Sequence, residues 1–224
     1  MRRVLVLACG LGVAAVLLAP AGVAQVRFTG VVQPATLPSI CQEETHFLTC
    51  TGPTPGFPSG VLLKSTTLDL DAFVGKNTRF LAWPRGVECP IYDVFDAGPP
   101  TSTLVSCGAP VPGCPMRFRV GPTGVLGRFW LWMGLGPNFL PVNAISGTWQ
   151  LGTPFFLLGS GFTVGTPSET AVDIVIPFDT ALTGLNLWVQ GARQDIGPIG
   201  PIELSNSLCF KILGPSPPCI EIDC

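Results

Sequence analysis

The chain has 224 residues, with 12 Lys and Arg, 14 Asp and Glu and a single His, for a formal net charge of −2. Charged residues make up only 12%, against about 25% in ordinary globular proteins, and the basic ones are scattered, which excludes the phosphate-binding stripe that nucleic acid requires. With 27 Gly and 24 Pro, long helices are excluded too, because each Pro removes an amide donor and clashes within a helix.

Residues 1–24 read as a secretory signal. Arg2 and Arg3 are followed by an apolar run from Val4 to Leu18, then Pro20 and a small-residue stretch ending in Ala24, where cleavage is expected. The run is shorter than the roughly 20 apolar residues of a membrane span, and every later apolar run is cut by Gly, Pro or a charge, so no transmembrane anchor is expected after cleavage. Cys9 makes a poor lipoprotein site, since Leu7 is bulky where such a site takes a small or β-branched residue. Loss of Arg2 and Arg3 leaves a net charge of about −4. The expected location is secreted, periplasmic or at the cell surface.

Residues 25–107 read as a first module. Strand signals are RFTGVV, VLLKSTTLDL over Val61 to Leu70, NTRFLAW over Asn77 to Trp83, and CPIYDVFD over Cys89 to Asp96. Between the second and third, Asp71 is expected to cap one short helical turn, Phe73 and Val74 to point inward, and Gly75 to end the turn with positive φ. Strand, one-turn helix and strand is the rhythm of a small closed barrel. About 80 residues give a marginal core that disulfides would supplement.

Residues 108–115 are rich in Pro and Gly and read as a linker. Residues 116–214 read as a second module, with about seven strands around Arg117, Phe129, Trp149, Phe162, Ile174, Trp188 and Phe210. Alternation sets Val172, Ile174 and Ile176 opposite Asp173, and Leu185, Leu187 and Val189 opposite Asn186, Trp188 and Gln190. DTALTG is the expected helical interruption, capped by Asp179 and stopped by Gly184. Seven short alternating strands in about 100 residues suggest a two-sheet sandwich. Residues 215–224 form a Cys-bearing tail. The fold class is therefore all-β, an OB-like barrel followed by an Ig-like sandwich.

Both modules carry motifs with a resemblance. VLLKSTTLDLDAFVGKNTRFLAWPRGVECPIYDV resembles the OB-like barrels of exported, planctomycete-type bacterial proteins over Leu68 to Val94. IVIPFDTALTGLNLWVQGARQD followed by IELSNSLCFKI resembles a secreted β-sandwich of the same bacteria, at Ile176, Pro177, Leu182, Gly184, Leu185, Leu187, Trp188 and Gln190, then Leu204, Ser205, Asn206 and Leu208. Here Trp188 stands where Tyr is usual. The resemblance implies architecture and export and transfers no catalytic residue.

Once Cys9 leaves with the signal, an even set remains: Cys41, Cys50, Cys89, Cys107, Cys114, Cys209, Cys219 and Cys224. In an oxidising compartment these read as disulfides; a metal reading fails because no C-x-x-C occurs and His46 is the sole histidine. Eight cysteines allow 105 connectivities. Proximity favours Cys41 with Cys50, Cys107 with Cys114, and Cys209 with Cys219 or Cys224.

The chemistry-bearing candidates are few. His46 reads as a loop histidine, and Leu158 to Gly161 lack the spacing of a nucleophile elbow and read as a turn. Asp69 and Asp71 could form a carboxylate pair for Ca²⁺ or acid–base work, but capping by Asp71 and an exposed or locally bonded Asp69 explain them without a DxDxDG loop. Trp130 and Trp132 share a strand face and read most simply as core, whereas Trp188, flanked by Asn186 and Gln190, would make an exposed shelf for a sugar ring. No cofactor is implied. The leading reading is a non-enzymatic exported binding or envelope protein whose ligand the sequence does not name, with polysaccharide and envelope proteins as the candidate partners. A carbohydrate-binding module is the alternative, and a hydrolase without a recognisable motif comes third.

Overall fold

The computed structural model describes residues 25–36, 41, 43–51, 58–85, 91–121, 126–141, 145–163, 170–195, 202–214 and 219. The signal segment 1–24, with Cys9, lies outside the described residues, as do Cys89 and Cys224. The described residues are almost wholly β.

The first unit is a closed barrel of β1 (Val26–Pro34), β2 (His46–Thr49), β3 (Pro58–Lys64), β4 (Asn77–Pro84) and β5 (Ile91–Gly98). Its strand order is β1-β2-β3-β5-β4, and β4 returns to β1. Inward-facing Phe28, Val32, Leu48, Val61, Leu63, Phe80, Ala82 and Val94 fill it. The strand read over Val61 to Leu70 stops at Lys64 for a local reason. The Ser65 hydroxyl accepts from the amides of Leu68 (2.9 Å) and Thr67 (3.2 Å) and donates to the Val94 carbonyl (2.6 Å), replacing ladder bonds with a turn. A 3₁₀ turn follows over Leu70–Phe73. Its cap is Asp69, not Asp71: the Asp69 carboxylate accepts from the Asp71 amide at 3.1 Å. Phe73 and Val74 pack against the barrel core as expected, and Gly75 leaves the turn at φ 76°.

The second unit begins earlier than composition suggested. β6 (Thr103–Cys107), read as the barrel's end, pairs with β7 (Pro115–Gly121), so residues 108–115 connect two strands of one sheet. β13 (Thr170–Val175) completes that three-stranded sheet in the order β13-β7-β6. The facing sheet has the order β10-β15-β14-β8-β12, from β8 (Gly127–Gly134), β10 (Ile145–Ser146), β12 (Phe155–Thr163), β14 (Asn186–Asp195) and β15 (Ile202–Lys211). Between them lies a core of Leu104, Met116, Phe118, Val120, Phe129, Leu131, Leu187, Val189, Leu208 and Phe210, among others. The Asp179 carboxylate accepts from the Ala181 amide at 2.8 Å, and Gly184 has φ 87°, so the expected cap and stop of the Thr180–Leu182 turn are both in place.

A hairpin of β9 (Pro137–Pro141) and β11 (Thr148–Leu151) lies between the two units. The Thr148 hydroxyl donates to the Arg27 carbonyl (2.6 Å), and the Gln150 side-chain amide donates to that of Thr29 (3.1 Å). Thr51 continues the junction with backbone bonds to Ser207 (2.9 Å) and Cys209 (2.8 Å).

Two bridges are described, Cys50–Cys209 and Cys114–Cys219, with Cα separations of 5.6 and 5.4 Å. They replace each pairing that proximity favoured: Cys50 is not joined to Cys41, Cys114 not to Cys107, and Cys209 not to the tail. Cys41 and Cys107 are also disulfide-bonded. The described bridges span 159 and 105 residues, because strand order rather than chain distance brings the sulfurs together. Such bonds fit an oxidising compartment outside the cytoplasm. Among the described residues, no helix is long and apolar enough to cross a membrane.

Candidate functional site

β14 is buried on both faces, and this removes the expected shelf. Trp188 is only 6% exposed and packs with the Cys50–Cys209 bridge, Leu151, Trp132 and Trp149. Gln190 is fully buried. Its Oε1 accepts from the Gln150 amide (2.8 Å), while its Nε2 donates to the carbonyls of Thr148 (2.9 Å) and Ser205 (3.0 Å). Asn186 is half-buried at the start of the strand, opposite Lys211. At Trp188 and Gln190 the polar side of the alternation faces the disulfide junction and β11 instead of water, so these two residues do not make an exposed shelf.

Further across the same sheet face the cover ends. Arg128, Trp130 and Trp132 alternate along β8 and point outward, since the intervening Phe129 and Leu131 are core. Their partners on the edge strand β12 are Phe162, Ser160 and Leu157, and Phe155 lies opposite Gly134. Phe155, Leu157 and Phe162 are 46%, 56% and 58% exposed. Trp130 and Trp132, read as core, are therefore half-buried members of an outer face.

The rings on this face form a row. Trp130 and Trp132 are nearly parallel, at 17° with centroids 6.3 Å apart. Trp149 meets Trp132 edge-on at 5.2 Å, and Phe155 meets Trp149 at 5.1 Å. At the far end the Arg128 guanidinium stands 5.2 Å from the centre of the Phe162 ring, a cation–π contact. Ser160 is the exposed hydroxyl opposite Trp130. Leu158 to Gly161, read as a turn, runs inside β12 with a bulge between Leu157 and Gly159, which re-aims the strand and keeps Ser160 beside Trp130. The sequence showed the shared face of Trp130 and Trp132; Trp149 and Phe155 were missed because the β9–β11 hairpin brings the first alongside and the pairing of β12 with β8 the second.

The other candidates resolve locally. His46 opens β2 rather than lying in a loop and is buried. Its Nε2 lies 3.1 Å from Asp71 Oδ1 and its Nδ1 2.9 Å from Thr45 Oγ1. Although carboxylate, imidazole and hydroxyl are aligned, the Thr45 backbone is engaged on both sides, donating to Leu63 O (3.1 Å) and accepting from Ala35 N (2.9 Å), so the hydroxyl does not sit on a nucleophile's sharp turn. Asp69 and Asp71 serve the turn and His46, and among the described residues no group of three His, Cys, Asp or Glu could hold a metal.

Surface charges are used in pairs. Arg117 holds Asp173 through bonds of 2.7 and 2.9 Å and keeps its carboxyl below the ordinary range. Lys64 and Arg85 do the same for Glu43, at 3.0 and 2.9 Å, with the Lys64 hydrogen bond the larger cause. In the barrel, burial raises the Tyr92 phenol, whose ring lies edge-on to Phe28 at 5.4 Å.

No protein-family model and no curated protein matches the chain. Among solved structures, the sporulation control protein Spo0M from Bacillus subtilis is similar at 12% identity and a TM-score of 0.25, over 51% of this chain. This chain spans 49% of that one.

Proposed function

We propose that the chain is an exported, non-enzymatic binding protein that takes carbohydrate on the aromatic row of β8, β11 and β12. The observation that carries this reading is the near-parallel Trp130 and Trp132 pair on a sheet face that opens to solvent at Phe155, Leu157 and Phe162. Flat rings spaced along one strand suit the apolar faces of consecutive sugar rings. Ser160 and Arg128 stand beside them to meet hydroxyls, and a contiguous exposed aromatic surface is otherwise costly to keep in water.

Export rests on the signal anatomy of residues 1–24 and agrees with the bridged cysteines. The OB-like reading of the barrel is supported by its β1-β2-β3-β5-β4 order with a 3₁₀ turn before β4, and the Ig-like reading by two facing sheets. Both agree with the resemblance to planctomycete-type exported proteins. Binding is favoured over hydrolysis because His46 is held within barrel pairing, between Asp71 and Thr45.

The test is depletion of the purified, oxidised protein from solution by a panel of insoluble polysaccharides. Saturable depletion by at least one is expected, and none by any would end the proposal. A second reading, an envelope protein that docks a protein partner, is favoured by the edge strand β12, where Phe156 is 51% exposed on the opposite face from Phe155 and Leu157. Crosslinking to envelope proteins that Phe156→Ser abolishes would support it.

A further inference from the structure

A cavity of about 260 Å³ opens between the two sheets of the second unit. Met133 and Leu158 of the larger sheet face Met116, Phe118 and Ile174 of the smaller one across it, and Leu135, Pro177, Leu182 and Leu185 form its outer part. All its lining side chains are apolar. Leu135 and Leu185 are exposed, whereas Met116 and Phe118 are buried, so the space runs from a rim at the surface into the core. It lies on the inner face of β8 and β12, opposite to the aromatic row.

From this geometry we infer that the cavity is a binding site for an unbranched acyl chain. A sugar, nucleotide or peptide backbone placed there would leave its own polar groups without partners, at a cost that apolar contact does not offset. An apolar cavity of about 150 Å³ in another protein stays dry and accepts benzene; the space here is larger and open at one end, which suits a ligand with an apolar body and a polar head left in water. Met133 and Met116 stand on opposite walls, and their unbranched, adaptable side chains accommodate a flexible chain.

The experiment is calorimetric titration of the full oxidised protein with octanoate, decanoate and dodecanoate below their micelle concentrations, with phospholipid vesicles as a separate arm. One chain is expected to bind per protein. Affinity should rise about fourfold per methylene, corresponding to about 0.8 kcal/mol, until the cavity is full. Saturation by free fatty acid identifies a soluble ligand, and saturation by vesicles alone identifies a lipid acyl chain; either supports the site if Leu158→Trp, which fills the cavity, lowers affinity at least tenfold. Ile174→Phe fills it from the other sheet and serves if Leu158→Trp does not fold. Absence of saturable binding to the unmodified protein in both arms would overturn the inference. So would affinity independent of chain length, or unchanged binding by a folded filled variant.

Discussion

Cys50, just after β2, and Cys209, inside β15, are bonded with their Cα atoms 5.6 Å apart, so the barrel and the sandwich share a covalent link at their junction. The link sits beside Trp188 and Leu151 and next to the backbone bonds of Thr51. Replacing both cysteines, Cys50→Ala with Cys209→Ala, is expected to cost about 2–5 kcal/mol. Urea unfolding under non-reducing conditions measures it. An unchanged midpoint would mean that the junction is held by its hydrogen bonds alone.

Trp188 is expected to behave as a structural residue. Trp188→Ala removes a large ring from the cluster at the junction and should cost about 3–5 kcal/mol, while the folded fraction keeps any polysaccharide retention. Loss of retention with unaltered stability would restore Trp188 as a ligand contact.

Asn206 offers a sharper test of the junction. It is fully buried; its Oδ1 accepts from Leu104 N (2.9 Å) and Asn77 Nδ2 (3.3 Å), while its Nδ2 donates to Leu104 O (3.0 Å) and the Thr51 hydroxyl (2.5 Å). One side chain thus satisfies polar groups on β6, β4 and the segment after β2. Asn206→Leu strands several of them, each costing about 1–3 kcal/mol, and a fall in the unfolding midpoint is expected by chemical denaturation.

These residues show what was legible in the sequence. Turns set by neighbours were readable, as at Asp179, Gly184 and Gly75, because a cap or a positive φ involves only a few consecutive residues. The alternation of β14 gave the strand, but whether its second face meets water depends on β11 and the barrel, which arrive from distant parts of the chain. Asn206 stood in the resembling motif without a visible role, and Gln190 was read as flanking an exposed shelf; their partners at Thr148, Gln150, Leu104 and Thr51 explain both as buried polar connectors. Disulfide pairing was illegible for the same reason: topology sets which sulfurs meet, and the nearest in sequence are not the nearest in space.

Tyr92 is the chain's single tyrosine, so its titration can be read directly by ultraviolet absorbance. Burial raises its pKa in the folded protein. The folded state therefore keeps the phenolic proton at pH values where the unfolded chain has lost it. This contribution to stability is intact below the unfolded value of about 10 and is lost as pH rises toward the folded pKa. Tyrosinate should appear at higher pH in the native protein than in urea. Coincident curves would contradict the packing of Tyr92 against Phe28.

The central claim rests on Trp130 and Trp132, and paired retention measurements test it most directly. On whichever insoluble polysaccharide retains the unmodified protein, Trp130→Ala and Trp132→Ala should each weaken binding at least tenfold, with far-ultraviolet circular dichroism unchanged and Trp83→Ala, on the barrel, binding normally. Equal retention by all three folded variants would contradict the account.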